Sequence, residues 1–181
     1  MMGRRILTAI GTAVLLAPAL LARQSPATTT MTQATRAQFD EVKGYLAKTA
    51  QKVPEDLYSF KPTPEVRSLV QIIGHVADAN FGICSIAAGE KPPQSGFEKG
   101  KTSKADLVKG LNDSIAYCDK VLASMDDHKG METVKFFNGS QTPRLAVLTF
   151  NNSHCNEHYG NLVTYMRLKG IVPPSSEAGG M

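Results

Sequence analysis

The sequence predicts an all-α protein, a four-helix bundle. Three observations carry this reading. Four runs of about 20 residues keep a helical apolar period, Pro- and Gly-rich breaks separate them, and no set of alternating segments long enough to build a sheet is present. Helices with one apolar stripe each can bury those stripes only against one another. The composition fits one ordinary folded domain: 181 residues, 42% hydrophobic and 20% charged. With 20 basic against 16 acidic side chains and scattered lysines, the chain lacks the basic stripe that nucleic-acid binding requires. Its three cysteines contain no CxxC pair, which excludes a four-cysteine zinc cluster and a thioredoxin-type redox pair.

Residues 1–22 stand outside the bundle. Arg4 and Arg5 precede an uncharged run from Ile6 to Ala22, and Ala17-Pro18-Ala19 offers the small residues that a signal peptidase reads. The expectation is a cleaved signal peptide and an exported, periplasmic or secreted protein, with a membrane association only if the signal stays uncleaved. Without Arg4 and Arg5 the chain has 18 basic and 16 acidic residues and is nearly neutral. Residues 23–35 are rich in Thr, Ala and Gln without an apolar period and read as a flexible leader.

The bundle is then expected over residues 36–174. Phe39, Val42, Leu46 and Val53 form the stripe of a first helix that ends before Pro54. Pro54, Pro62 and Pro64 exclude a helix interior and make the next stretch a connector. Ser68 can cap a second helix, in which Leu69, Ile72, Ile73, Val76, Ala79, Ile83 and Ile86 keep the period until Gly89 and Pro92-Pro93. After a Gly-containing connector, Thr102 or Ser103 can cap a third helix with its seam at Leu107, Leu111, Ser114, Cys118, Leu122 and Met125. The connector is long enough either to cross the bundle or to make a turn, so the topology stays open. Val134 to Phe137, before Asn138-Gly139, can form a short hairpin ahead of the last helix. The fourth helix runs from Arg144 to Lys169, before Gly170 and Pro173-Pro174, and residues 175–181 read as a flexible tail.

The fourth helix breaks the apolar rule. Val147, Asn151, His154, His158, Asn161, Tyr165 and Leu168 repeat by four and three, which puts two histidines and two asparagines in a seam that should be apolar. His154 and His158 are one turn apart, the spacing that lets two ring nitrogens bind one transition metal. His75, in phase with Ile72 and Val76 on the second helix, can supply a third ligand from across the bundle and leave one coordination position open. Asp78, Asn151, Glu157 and Asn161 are candidates to orient these ligands from behind. Three neutral imidazoles suit zinc or nickel, then iron or copper, better than calcium or magnesium. His128, in a polar connector, reads as a solvated loop residue. Cys84 is about 180° round the helix from His75 and cannot share its face, while Cys118 follows an apolar seam. Export would permit one disulfide among Cys84, Cys118 and Cys155, and nothing in the sequence selects the pair.

Several segments together resemble the DinB-like superfamily over nearly the whole mature chain. They are Phe60-Lys61-Pro62, Ser68-Leu69 leading to His75-Val76-Ala77-Asp78, His154 with His158, Gly160-Asn161-Leu162-Val163-Thr164-Tyr165, and Gly170-Ile171-Val172-Pro173-Pro174. The resemblance implies a four-helix bundle with a three-histidine metal site, one ligand on the second helix and an HxxxH pair on the fourth, which match His75, His154 and His158. It departs around Glu157, Tyr159, Gly160 and Asn161, where many members carry a further histidine and Arg, Gly and Gln. Some relatives are metal-dependent transferases or isomerases acting with small thiols, so the resemblance implies a thiol-type transferase acting on a small molecule. Relatives often dimerise, which makes a homodimer an expectation too, although no exposed heptad specifies one. Two other readings stand beside the transferase. One is a non-catalytic module that binds a metal or small ligand. The other is a hydrolase, because His154-Cys155-Asn156-Glu157-His158 also spells HxxEH, in which Glu157 would activate water.

Overall fold

A capping box opens α1 (Met31–Lys52): the Thr30 hydroxyl accepts from the Gln33 amide while the Gln33 side chain accepts from the Thr30 amide. The computed structural model describes residues 29–101 and 103–177. The predicted signal peptide, the leader as far as residue 28, Thr102 and residues 178–181 therefore lie outside the described residues. The helix starts inside the predicted leader, a correction to the 23–35 boundary. Its first turns are held by polar contacts that leave no apolar period. The Thr32 amide and hydroxyl both donate to Asp127, and Asn152 donates to the Thr35 carbonyl at 2.9 Å.

The other long helices follow the predicted caps. Ser68 and Gln71 form a second capping box at the start of α2 (Leu69–Ala88), which ends at Gly89 with φ +78°. A four-residue helix, α3 (Phe97–Gly100), interrupts the next connector. Ser103 accepts from the Asp106 amide at the start of α4 (Lys104–Ala123). A short α5 (Asp127–Met131), capped by Asp126, leads into the expected hairpin of β1 (Thr133–Lys135) and β2 (Gln141–Pro143), with Thr133 opposite Pro143. Gly139, at φ +83°, makes its turn. The last long helix is α6 (Arg144–Leu168). Beyond it, residues through Glu177 are tied down, which corrects the start of the predicted tail: the Ser175 amide donates to the Tyr159 hydroxyl, and Lys52 pairs with Glu177.

Side-chain contacts give the helix directions. Asn80 meets Ser114 and Cys84 bonds to Cys118, so α2 and α4 run parallel. Thr35 meets Asn152 and Tyr45 stacks on Tyr159, so α1 and α6 are parallel as well. Arg144 reaches the Ala87 carbonyl and Tyr165 the Arg67 carbonyl, which sets α6 antiparallel to α2. Lys43 pairs with Asp119, and Lys104 with the Gln51 carbonyl, which sets α4 antiparallel to α1. Both α1 and α2 make their principal contacts with α4 and α6, so they face each other across the bundle diagonal. The topology is up, down, down, up. A parallel pair cannot be joined by a tight turn, and the connector between α2 and α4 accordingly returns along the bundle.

Phe39, Leu46, Ile72, Leu111, Leu148 and Met166 lie in the core at 2% exposure or less, and burial of each large apolar side chain contributes about 1.5–3 kcal/mol. The cysteine pairing that the sequence left open is Cys84 with Cys118, whose Cα atoms are 5.5 Å apart on the parallel helices, while Cys155 is free and buried.

Candidate metal centre

The antiparallel contact of α2 and α6 brings the three predicted histidines together. His75 sits two turns into α2, and His154 and His158 occupy successive turns of α6. The Nε2 atom of His154 is 3.1 Å from Nε2 of His75 and 3.1 Å from Nε2 of His158. Two nitrogens bound to one tetrahedral zinc at 2.0–2.1 Å are separated by about 3.3 Å, so the observed spacing fits a shared ion.

Proton accounting makes the same point. Glu98 approaches His75 Nδ1 at 2.9 Å. A carboxylate only accepts, so Nδ1 carries the hydrogen, and in that tautomer Nε2 of His75 presents a lone pair. Nε2 of His154 has either one hydrogen or one lone pair. If it donates toward His75, it offers nothing to accept from His158; if it accepts from His158, it faces the His75 lone pair unpaired. Three neutral rings cannot satisfy both contacts by hydrogen bonding, whereas a cation satisfies all three lone pairs together. Burial lowers the pKa of His154, with His75 adding to the effect. It lowers that of His158 to about 4, reinforced by His154, His75 and Arg67. Both rings are thus neutral at physiological pH, the form that binds metals.

The nitrogens facing away from the cluster are supported unequally. His75 has Glu98, whose other oxygen accepts from Arg67 Nε at 2.9 Å. Burial works to raise the Glu98 pKa, but the hydrogen bonds and charges of Arg67 and His75 outweigh it and hold the carboxyl below its ordinary value. The Asn161 amide lies 3.5 Å from His158 Nδ1, and His154 Nδ1 is buried without a partner.

The candidate orienting residues are distributed differently from the sequence expectation. Asn161 alone of the four touches a histidine. Glu157 is exposed and lines a cavity of about 470 Å³ beside His158, together with Glu65, Arg67, Glu98 and Tyr165. The Asp78 carboxylate accepts the Phe97 and Glu98 amides at 3.0 Å each and so holds the start of α3. Asn151 lies in a separate buried layer, donating to Asn80 at 3.1 Å. Cys155 belongs to that layer, where burial pushes its thiol up to about 12. Sequence reasoning missed Glu98. Its only local signal is the lone Phe97 between Gly96 and Gly100, a place where a connector can dip into the core.

Fold and site together define a helical-bundle protein with a three-histidine group able to hold a metal ion. The chain belongs to the DinB superfamily, whose family model matches residues 38–162. Solved structures with the same fold include a DinB-like protein from Bacillus cereus ATCC 10987, at 19% identity and a TM-score of 0.69, covering 78% of this chain and 95% of that one. A conserved protein from Enterococcus faecalis aligns at 14% identity and a TM-score of 0.61, covering 78% of this chain and 98% of its own. No curated protein sequence matches the chain.

Proposed function

We propose that this protein binds one divalent transition metal, zinc or nickel first, through His75, His154 and His158, and uses the open side of the site for metal-dependent transfer chemistry on a small molecule. The convergence of three Nε2 atoms, with the His75 tautomer set by Glu98, carries the reading. A metal in this position supplies a Lewis acid that lowers the pKa of a bound thiol or water or polarises a carbonyl. Around it, Arg67 offers a cationic group to the cavity, and Glu157 offers a carboxylate able to take up a proton from a nucleophile. Thiol transfer is the leading reaction class because the family resemblance implies it. The second reading, hydrolysis, rests on Glu157 lining the same cavity as His158.

The proposal includes export through the N-terminal signal. The Cys84–Cys118 bond supports it, because disulfides persist in oxidising compartments. Mass spectrometry of the exported chain is expected to find a mature N-terminus near Leu20 or Arg23, and intact Met1 throughout would count against it. Protein purified from that compartment is expected to hold about one equivalent of metal and to lose it in the His154→Ala/His158→Ala variant. Undiminished metal in that variant would sink the assignment. A screen with thiol–electrophile pairs and with esters then separates transfer, hydrolysis and plain binding.

A further inference from the structure

We infer that Glu98 is a positioning residue for the metal centre: it fixes the ring of His75 and directs its Nε2 lone pair into the site. The inference deepens the metal-binding reading and rests on it.

Glu98 reaches His75 from a short helix. Helix α3 is only four residues long, and a lone turn of helix has little stability of its own. Three contacts seat it. Asp78, one turn after His75 on α2, accepts the amides of Phe97 and Glu98, two of the donors that a helix start leaves unpaired. Gly74 lets the α3 backbone lie directly on α2: a Cβ there would fall 2.7 Å from both the Cα and N atoms of Glu98. Gly110 does the same for the Phe97 ring, which occupies the place of a Cβ on α4 at distances of 2.2–2.4 Å. Both glycines are interior to helices, where each costs about 1 kcal/mol relative to Ala. What they permit is a close approach that puts the Glu98 carboxylate 2.9 Å from His75 Nδ1.

The carboxylate is itself held. Arg67 Nε binds its second oxygen at 2.9 Å, and the Arg67 carbonyl accepts from Tyr165 on α6, the helix that carries the other two histidines. His75 is therefore the one member of the cluster with a charged acceptor behind it; His158 has a neutral amide at 3.5 Å and His154 Nδ1 has no partner. A carboxylate behind a metal-binding imidazole fixes its tautomer and rotation and makes it a better donor, and loss of such a partner typically weakens metal binding about 10–100-fold.

The test uses the full mature chain, with Zn²⁺ and Co²⁺ as probes and a chelator as competitor. Glu98→Ala is expected to weaken both ions about 10–100-fold and to change the visible Co²⁺ spectrum, which reports ligand geometry. Glu98→Gln retains an oxygen that can accept from Nδ1 without its charge, and should recover part of the loss, leaving roughly a threefold to tenfold deficit. Gly74→Ala leaves Glu98 in place in the sequence but displaces α3, and should resemble Glu98→Ala. Glu98→Ala with affinity within twofold of wild type and an unchanged Co²⁺ spectrum would overturn the inference. Should that variant not fold, Glu98→Gln decides in the same way. A wild type that binds neither ion overturns the metal-binding reading and this inference together. Wild-type binding that is lost in His154→Ala but untouched in Glu98→Ala overturns only the role of Glu98.

Discussion

Two polar layers cross the same helices, and they end differently. One turn from the histidines, Asn80 of α2, Ser114 of α4 and Asn151 and Cys155 of α6 are sealed in the core at 1% exposure or less. Their side chains bond chiefly to one another: Asn151 donates to Asn80, Asn80 to Ser114, and Ser114 to the Leu111 carbonyl, while the Cys155 thiol donates to Asn80 and Asn151 Oδ1 is left without a partner. The histidine layer instead gathers three ring nitrogens within 4.8 Å of one another, with His158 lining a cavity. In sequence both are polar interruptions of an apolar seam. What separates the two layers is whether the polar groups bond chiefly to one another, and that depends on partners from other helices.

The largest effect is expected at the disulfide beside the sealed layer. Replacing Cys84 and Cys118 with Ala should lower the unfolding free energy by about 3–4 kcal/mol, given a sequence separation of 34 residues. Denaturant titration measures this, and metal stoichiometry should be unchanged. Asn80→Ala removes the centre of these bonds and strands the Asn151 amide donor, at a cost of about 1–3 kcal/mol. If it also abolished metal binding, the two layers would be one unit and the contrast would collapse.

Acid acts on the histidine layer. The folded-state pKa of His158 is about 4 against an ordinary value of 6.5. As pH falls below 6.5 the unfolded chain takes a proton there that the folded chain refuses until about pH 4. Metal-free protein should therefore lose stability through that window, by up to about 1.4 kcal/mol per pH unit from this group, and lose no more from it below. His154, shifted the same way, adds to the loss. Replacing His158 with Leu should flatten the profile, and an equally steep profile in that variant would remove His158 as its source. The smallest effect is expected at Cys155. Buried and with its thiol pushed up to about 12, it should resist a thiol reagent at pH 8 in native protein and react on unfolding. Rapid native labelling would show an accessible thiol and remove Cys155 from the sealed layer.

What the sequence discloses follows the range of the interaction. Periodicity and caps are local, so the four helices, the Ser68 cap and the hairpin at Asn138-Gly139 are legible, as is the HxxxH spacing of His154 and His158. His75 is legible because a histidine among Ile72, Ile73 and Val76 contradicts its own helix face. The start of α1 is hidden because Thr32 and Thr35 are buried by long-range polar contacts rather than by apolar pattern. Pairing of Cys84 with Cys118 requires knowing that α2 and α4 are parallel, which no local signal states. Asn151 and Asn161 look equivalent on the α6 seam, yet only Asn161 reaches a histidine, because Asn80 lies opposite Asn151. Glu98 is hidden for the same reason: its meaning resides in Gly74, Asp78 and Gly110 on other elements.

The order of the helices also sets a schedule for biogenesis. Both cysteines of the disulfide lie on α2 and α4, whereas two of the three histidines arrive only with α6, and His154 follows His75 by 79 residues. A nascent chain halted at the hairpin carries both cysteines of the covalent link and one of the three histidines. A chain that has passed residue 118 holds both partners of the disulfide, whereas gathering all three histidines requires the last helix to be made and docked.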